Sequence, residues 1–411
     1  MDDDPRVRSE SEQSTTNVSR STQGVPPCAA CDYGGRDACP KPRYGYLREE
    51  KALRVQRRMT TLAAVLAGAL VLAGCGGDTG GDTGGDSGGG GDSGGGGGDE
   101  AASEINVGVA YDVGGRGDQS FNDSAAAGLD QAVEEFGIKV DEAEAGDGED
   151  DAAREERLRL FAENGNNPVI AVGFIYATSL AVVAEEFPDT QFALIDSADA
   201  AADNITNLLF AEEQGSFLVG VVAALKSESK NVGFVGGVQV PLIEKFEAGF
   251  AAGVAAVDPS ITVEVRYLTQ PPDFSGFGDP AKGKTAAEGM YQNGADIIYA
   301  AAGGSGGGVF EAASEAGTFA IGVDSDQAVT ADPAVADVII SSMLKNLNVA
   351  VFEFLSSFVD DNVESGEVIF DLSNDGVGYS TTGGAIDDIV EQVDGFKQQI
   401  IDGDIEVPTT P

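Results

Sequence analysis

Histidine and tryptophan are missing from all 411 residues. The four cysteines, Cys28, Cys31, Cys39 and Cys75, all lie at or before position 75. If the chain is cleaved before Cys75, the folded body has no disulfide, no histidine general base and no thiol nucleophile. Most hydrolase mechanisms are disfavoured on that ground, leaving carboxylate pairs and serine–lysine chemistry. Any metal site there would be all-oxygen. Basic residues are scarce too: 24 Lys and Arg stand against 69 Asp and Glu, a formal charge of −45. Such acidity disfavours nucleic acid, whose affinity comes from cations on phosphates. It equally disfavours anionic membrane surfaces. The charge reads as a solvated surface.

Long apolar runs are also lacking. The longest stretch, Leu62 to Leu72, follows Arg54, Arg57 and Arg58. It is too short for a bilayer, which needs about 20 apolar residues. A basic start, a short apolar run and a small-residue exit describe a secretory signal. Leu72-Ala73-Gly74-Cys75 resembles the bacterial lipobox, so residues 59–74 are read as a lipoprotein signal and Cys75 as the lipidated first mature residue. Residues 1–58 then stand upstream of a signal that belongs at an N-terminus. They are read as a start assigned too early, with Met59 or Val55 as alternatives, or as an extension. Cys28, Cys31 and Cys39 lack the fourth ligand a zinc site needs. Residues 75–104 are almost only Gly, Asp, Ser and Thr. They cannot bury enough apolar area to fold and read as a tether.

About 300 residues remain, enough for two lobes. Short β-rich runs occur at Ile105–Tyr111, Pro168–Phe174, Gln191–Ile195, Val232–Val235, Thr262–Leu268, Asp296–Ala300, Phe319–Val323 and Val338–Ser341. Helical patterns lie between them, at Ser124–Phe136, Arg154–Glu163, Ser179–Phe187, Gly215–Ser227, Ile243–Val257 and Lys284–Asn293. Alternating strand and helix predicts an α/β protein with parallel sheets.

Ligands of such sheets sit at the carboxyl ends of strands. Asp112, Asp196 and Asp324 each follow a predicted strand, as do Tyr176 with Thr178 and the glycine loop Ala301 to Gly308. Each aspartate alone is more often a turn residue or cap. Three in register suggest acceptors for paired hydroxyls, with aromatics nearby for a ring face. That chemistry suits a neutral polyol carrying a ring, such as a nucleoside or a sugar.

At these residues the body resembles the basic membrane lipoprotein family, nucleoside-binding proteins of ABC transporters. The matching segments include "DVGGRGDQSFNDSAAAGL" (112–129), "FALIDS" (192–197), "AEEQGSFLVG" (211–220), "KFEAGFAAG" (245–253) and "GVDSDQ" (322–327). The likeness covers nearly all of 105–395. It implies a type I periplasmic-binding-protein fold, two Rossmann-like α/β lobes joined by three crossovers. The lobes are expected at 105–230, completed by about 342–370, and at 231–341, completed by about 371–400. It implies that Asp112, Asn122 and Asp196 contact the ligand, that Phe121 stacks on a base, and that Asp324 and Lys345 bind ribose hydroxyls. Asp123 would cap a helix at Ser124, and Gly304 would admit close backbone approach. A second stacking aromatic is left open between Tyr299 and Phe246.

Three spellings are set aside. "GDPAKGKT" (278–285) matches the P-loop pattern, but no strand leads into it directly and Pro280 removes an amide the loop would use. "RGD" (116–118) falls inside the family segment. "AGDGEDD" (145–151) lacks EF-hand spacing. The expectation is therefore a lipid-anchored receptor for an ABC importer, with a nucleoside ligand, a permease partner and membrane attachment through Cys75. No nucleic acid, metal, cofactor or catalytic residue is expected, and the receptor is expected to be a monomer. A sugar receptor on the same fold, a surface nucleoside hydrolase, and a sensor or adhesin without a permease are the rivals.

Overall fold

The structure is a computed structural model that describes residues 105–146 and 148–411. The signal, Cys75, the tether and residues 1–58 lie outside the described residues.

The most apolar strands are the central ones. β1 (Asn106–Tyr111), β3 (Val169–Ala171) and β4 (Phe192–Ile195) are buried along nearly their whole length, as are β8 (Ile297–Ala301) and β9 (Phe319–Asp324). Strands covered by helices on both faces have no polar side to show, so their sequences run apolar without alternation. β2 (Lys139–Glu144) and β11 (Gly366–Phe370) are largely exposed because they are edges, β2 carrying four charged residues and β11 only Glu367. The first sheet runs β11-β5-β4-β3-β1-β2, with β5 at Ile205–Phe210, and is parallel throughout. The second runs β12-β10-β9-β8-β6-β7, with β6 at Asn231–Val238, β7 at Thr262–Thr269, β10 at Ile339–Lys345 and β12 at Val377–Tyr379. Only β12 is antiparallel to its neighbour. The two sheets repeat one strand order.

The helices are α1 (Phe121–Phe136), α2 (Asp151–Glu163), α3 (Ala177–Glu186), α4 (Glu212–Lys226), α5 (Pro241–Val257), α6 (Pro280–Gln292), α7 (Gly306–Ala316), α8 (Gln327–Thr330), α9 (Leu347–Val359) and α10 (Val390–Ile401). The chain passes between sheets three times: after β5, after β10 and after β11. This is the type I two-lobed architecture. β10 carries the second sheet to Lys345, so the return to the first sheet begins past the expected boundary at 342. One apolar core cluster runs through both lobes, and two smaller ones fill the far face of each sheet. α4 and α5 pack closely because Gly249 and Gly253 lie against the carbonyls of Glu213 and Phe217, where a Cβ would collide.

Candidate functional site

A cavity of about 620 Å³ opens between the lobes. Its walls come from the carboxyl ends of β1, β4, β8, β9 and β10 and from the first turns of α1 and α5. Of the residues proposed from the sequence, Asp112, Phe121, Asn122, Asp196, Gly304, Asp324 and Lys345 line it, with Phe246, whereas Tyr299 and the strand-end residues Tyr176 and Thr178 do not.

The carboxylates reach it by a shared backbone device. Asp196 follows β4 in one sheet and Asp324 ends β9 in the other, and both have left-handed φ, 70° and 64°. That conformation costs a non-glycine residue about 1–2 kcal/mol, and aspartate tolerates it better than most. It turns the chain sharply off the strand end, and both residues line the cleft. Asp324 Oδ2 accepts from Ser120 Oγ at 2.5 Å, a contact between lobes. Lys345, 1% exposed, ends β10 and donates to Asp196 Oδ2 at 2.6 Å, a second contact between lobes. It also pairs with Glu212 Oε1 at 3.1 Å.

Burial sets the electrostatics. It pushes the Asp112 carboxyl up to about 7, against the Val113 amide that holds it down. It pushes Asp196 and Asp324 up to about 6, with Lys345 opposing in both cases. Desolvation disfavours the Lys345 ammonium, but Asp196, Glu212 and Asp324 together outweigh it and raise its pKa. Several carboxylates share one buried ammonium, so the lysine stays charged while the acids are the groups that take up protons.

Asn122 lines the cavity but its amide is already committed. Its Oδ1 accepts the Asp112 amide at 3.0 Å, and its Nδ2 donates to Asp118 Oδ2 at 3.1 Å and the Val113 carbonyl at 3.4 Å. It is 1% exposed. These bonds lock the loop after β1 onto α1, from a position that also lines the cavity. Asp123 is reassigned. α1 starts at Phe121, not Ser124; Ser120 holds the N-cap position without a side-chain capping bond, and Asp118 accepts the amides of Ser120, Asn122 and Asp123. Asp123 instead accepts from Gly117 and Gln119 and folds the preceding loop.

Tyr299 is the other correction. It lies on β8 with no exposure, packed among Phe234 and Phe250, its hydroxyl 3.2 Å from Ser216 Oγ. A mid-strand residue points into the core here, whereas cleft residues come from strand ends. Of the two candidate aromatics, only Phe246 lines the cavity. Phe121 and Phe246 rings lie 5.3 and 5.6 Å from Lys345 Nζ. At Gly304 a Cβ would meet the Phe277 carbonyl at 3.5 Å, ordinary contact, so nothing in the protein forces glycine there. A ligand against the backbone would.

Sequence reasoning missed Asp118, Phe174, Leu242, Ile243 and Phe277 in the lining, and Glu212 behind it. Glu212 lies in the quoted segment "AEEQGSFLVG", a signal that was available. The P-loop spelling is a helix start: Pro280 opens α6, Asp279 caps it, and Lys284 pairs with Glu311 and Glu315. Arg116 of "RGD" is held by Asp130 and Glu142.

Residues 105–411 match the family model described as "ABC transporter substrate-binding protein PnrA-like". A "CD4+ T-cell-stimulating antigen" of Listeria innocua is 33% identical over 370 residues, 85% of this chain and 98% of that protein. The "ABC transporter nucleoside-binding protein BmpA" of Lactococcus lactis is 29% identical over 371 residues, 86% of this chain and 100% of that protein. A crystal structure of an ABC transporter solute-binding protein from Aeropyrum pernix superposes with a TM-score of 0.65 at 31% identity, covering 74% of this chain and 93% of that one. With its two repeated sheets and cleft between them, this chain belongs to the Bmp family of PnrA-like ABC transporter substrate-binding proteins, a role that entails a small-molecule ligand and a permease partner.

Proposed function

We propose that the cleft receives a nucleoside, purines being the favoured class, and that a lipid on Cys75 holds the receptor outside the cytoplasm. One observation carries the ligand class. Asp196 Oδ1 is buried without a hydrogen-bond partner, in a cavity whose other walls include the rings of Phe121 and Phe246. A buried acceptor left alone costs about 1–3 kcal/mol, so it calls for a donor. A ribose hydroxyl supplies the donor, and a base supplies the flat apolar face the rings accommodate. Asp324 and Lys345 stand ready for the neighbouring hydroxyls. The name of the Lactococcus relative points the same way. Hydroxyls bound to residues of both lobes favour the closed form, and that form would be the one the permease engages.

A thermal-shift panel on the full chain tests this, with guanosine, inosine, adenosine, cytidine, uridine, ribose and glucose. A ligand at a hundredfold its Kd stabilises by roughly 2.7 kcal/mol, which is detectable. Purine nucleosides should raise Tm and free ribose should not. A shift with free sugars alone would replace the nucleoside by a sugar. Mass spectrometry of the mature protein tests the anchor: diacylglycerol on Cys75 is expected, and an unmodified cysteine contradicts it.

A further inference from the structure

Glu212 is 1% exposed, carries a carboxylate and does not line the cavity. It opens α4, immediately after the first passage between lobes. Its Oε1 lies 3.1 Å from the Nζ of Lys345, the last residue before the second passage. Its Oε2 lies 3.3 Å from the Nζ of Lys245 on α5, a side chain 34% exposed. One carboxylate therefore bridges an ammonium in the cleft and an ammonium at the surface, at the hinge between lobes. Packing alone gives no reason for this. A buried ion pair is often no better for stability than apolar groups of the same shape.

The surroundings are specific. Asp196 approaches Lys345 from the first lobe, and Asp324 acts on it from β9. Glu213 neighbours Glu212 on α4, and the Tyr299 hydroxyl of β8 lies within its field. Lys345 also sits within 5.0 to 5.6 Å of the rings of Phe121, Phe210 and Phe246, which attract its charge from three sides. Glu212 is the partner that ties the ammonium to the second lobe, while Asp196 ties it to the first.

We propose that Glu212 is a positioning residue for ligand binding: from outside the cavity it holds Lys345 at the hinge, and its charge, set against that of Lys245, acts on Asp196 directly. This rests on the cleft being the nucleoside site. Glu212 and Lys245 act on Asp196 with opposite signs, the carboxylate favouring its protonation and the ammonium its ionisation. Two substitutions should therefore shift one group in opposite directions, which a merely structural role would not do.

The test uses the full chain as wild type, Glu212→Gln and Lys245→Met. The Asp196 carboxyl is titrated by carbon-13 NMR without ligand, and guanosine affinity is measured from pH 5 to pH 8. Glu212→Gln should lower the Asp196 midpoint and move the acidic loss of affinity to lower pH. Near pH 7.5 it should weaken guanosine on the order of tenfold, since the lysine has lost its second anchor. Lys245→Met should raise the midpoint and move the acidic loss upward. Midpoints unmoved in both variants overturn the proposal, as does an affinity profile that ignores midpoints that move. If Glu212→Gln does not fold, Lys245→Met, at a partly exposed side chain, decides alone. If wild type does not bind guanosine, the nucleoside reading fails, while the ligand-free titration still decides whether Glu212 governs Asp196.

Discussion

Ser120 Oγ donates to Asp324 Oδ2 at 2.5 Å, joining the loop before α1 in one lobe to the end of β9 in the other. Beside it the Gln119 carbonyl accepts from Ser325 Oγ at 3.0 Å and Gln327 Nε2 at 3.1 Å, with Gln119 itself in the left-handed region at φ 55°. A carboxylate that lines the cleft is thus also a clasp between lobes.

Ser120→Ala removes the clasp and leaves Asp324 without that donor. A hydrogen bond to a charged group contributes about 1.5–3 kcal/mol. Guanosine affinity should fall about tenfold or more by isothermal titration calorimetry. An unchanged Kd would mean the contact does not help closure.

Phe121→Ala removes the first-lobe ring. Stacking on a base is worth about 1–3 kcal/mol by alanine substitution, so affinity should drop roughly ten- to hundredfold. Tyr299→Phe should leave Kd within about twofold, because its hydroxyl meets only Ser216 in the core. A loss at Tyr299 equal to that at Phe121 would contradict the placement of the two rings.

Asn122→Ala should act on folding first. It strips the Asp112 amide of its partner, and a buried orphan costs about 1–3 kcal/mol. Thermal unfolding should show a clear drop in Tm. A Tm equal to wild type with binding lost would make Asn122 a ligand contact first.

Affinity and stability should respond to pH in opposite directions. Burial raises Asp112 to about 7 and Asp196 and Asp324 to about 6. An unfolded aspartate titrates near ~3.9. The folded state takes up these protons first, so their stabilisation is full below about pH 4 and is lost as pH rises through 6 to 7. Ligand-free Tm should therefore climb from pH 8 to pH 5. Guanosine binding uses ionised acceptors and should weaken below about pH 6. A Tm that falls across that range would contradict the raised carboxyls.

The α/β class and the strand-end logic could be read from the chain because buried parallel strands such as "FALI" and "IIYAA" are apolar throughout and end in polar residues. β2, β5, β11 and β12 escaped notice: β2 is an edge whose charges look like a loop, β11 and β12 are short edges, and in the interior strand β5 Thr206 and Asn207 interrupt the apolar run. Strand-end position identified Asp112, Asp196 and Asp324, since topology alone puts those ends at the cleft. It could not separate Tyr299 from Phe246, because that depends on which face of β8 or α5 meets the opening. The bonds Asn122 makes within its own loop were not legible, because a polar residue in a motif gives no sign of which partners its amide takes. Glu212 went unremarked because only the fold brings the start of α4 to the end of β10.

The most direct measurement is a crystal structure of the protein grown with guanosine. The account predicts one guanosine between the lobes, its base against Phe121 and Phe246 and its ribose hydroxyls bonded to Asp324 and to Asp196 Oδ1. A guanosine bound elsewhere, or a cleft that excludes it and holds a free sugar, would contradict it.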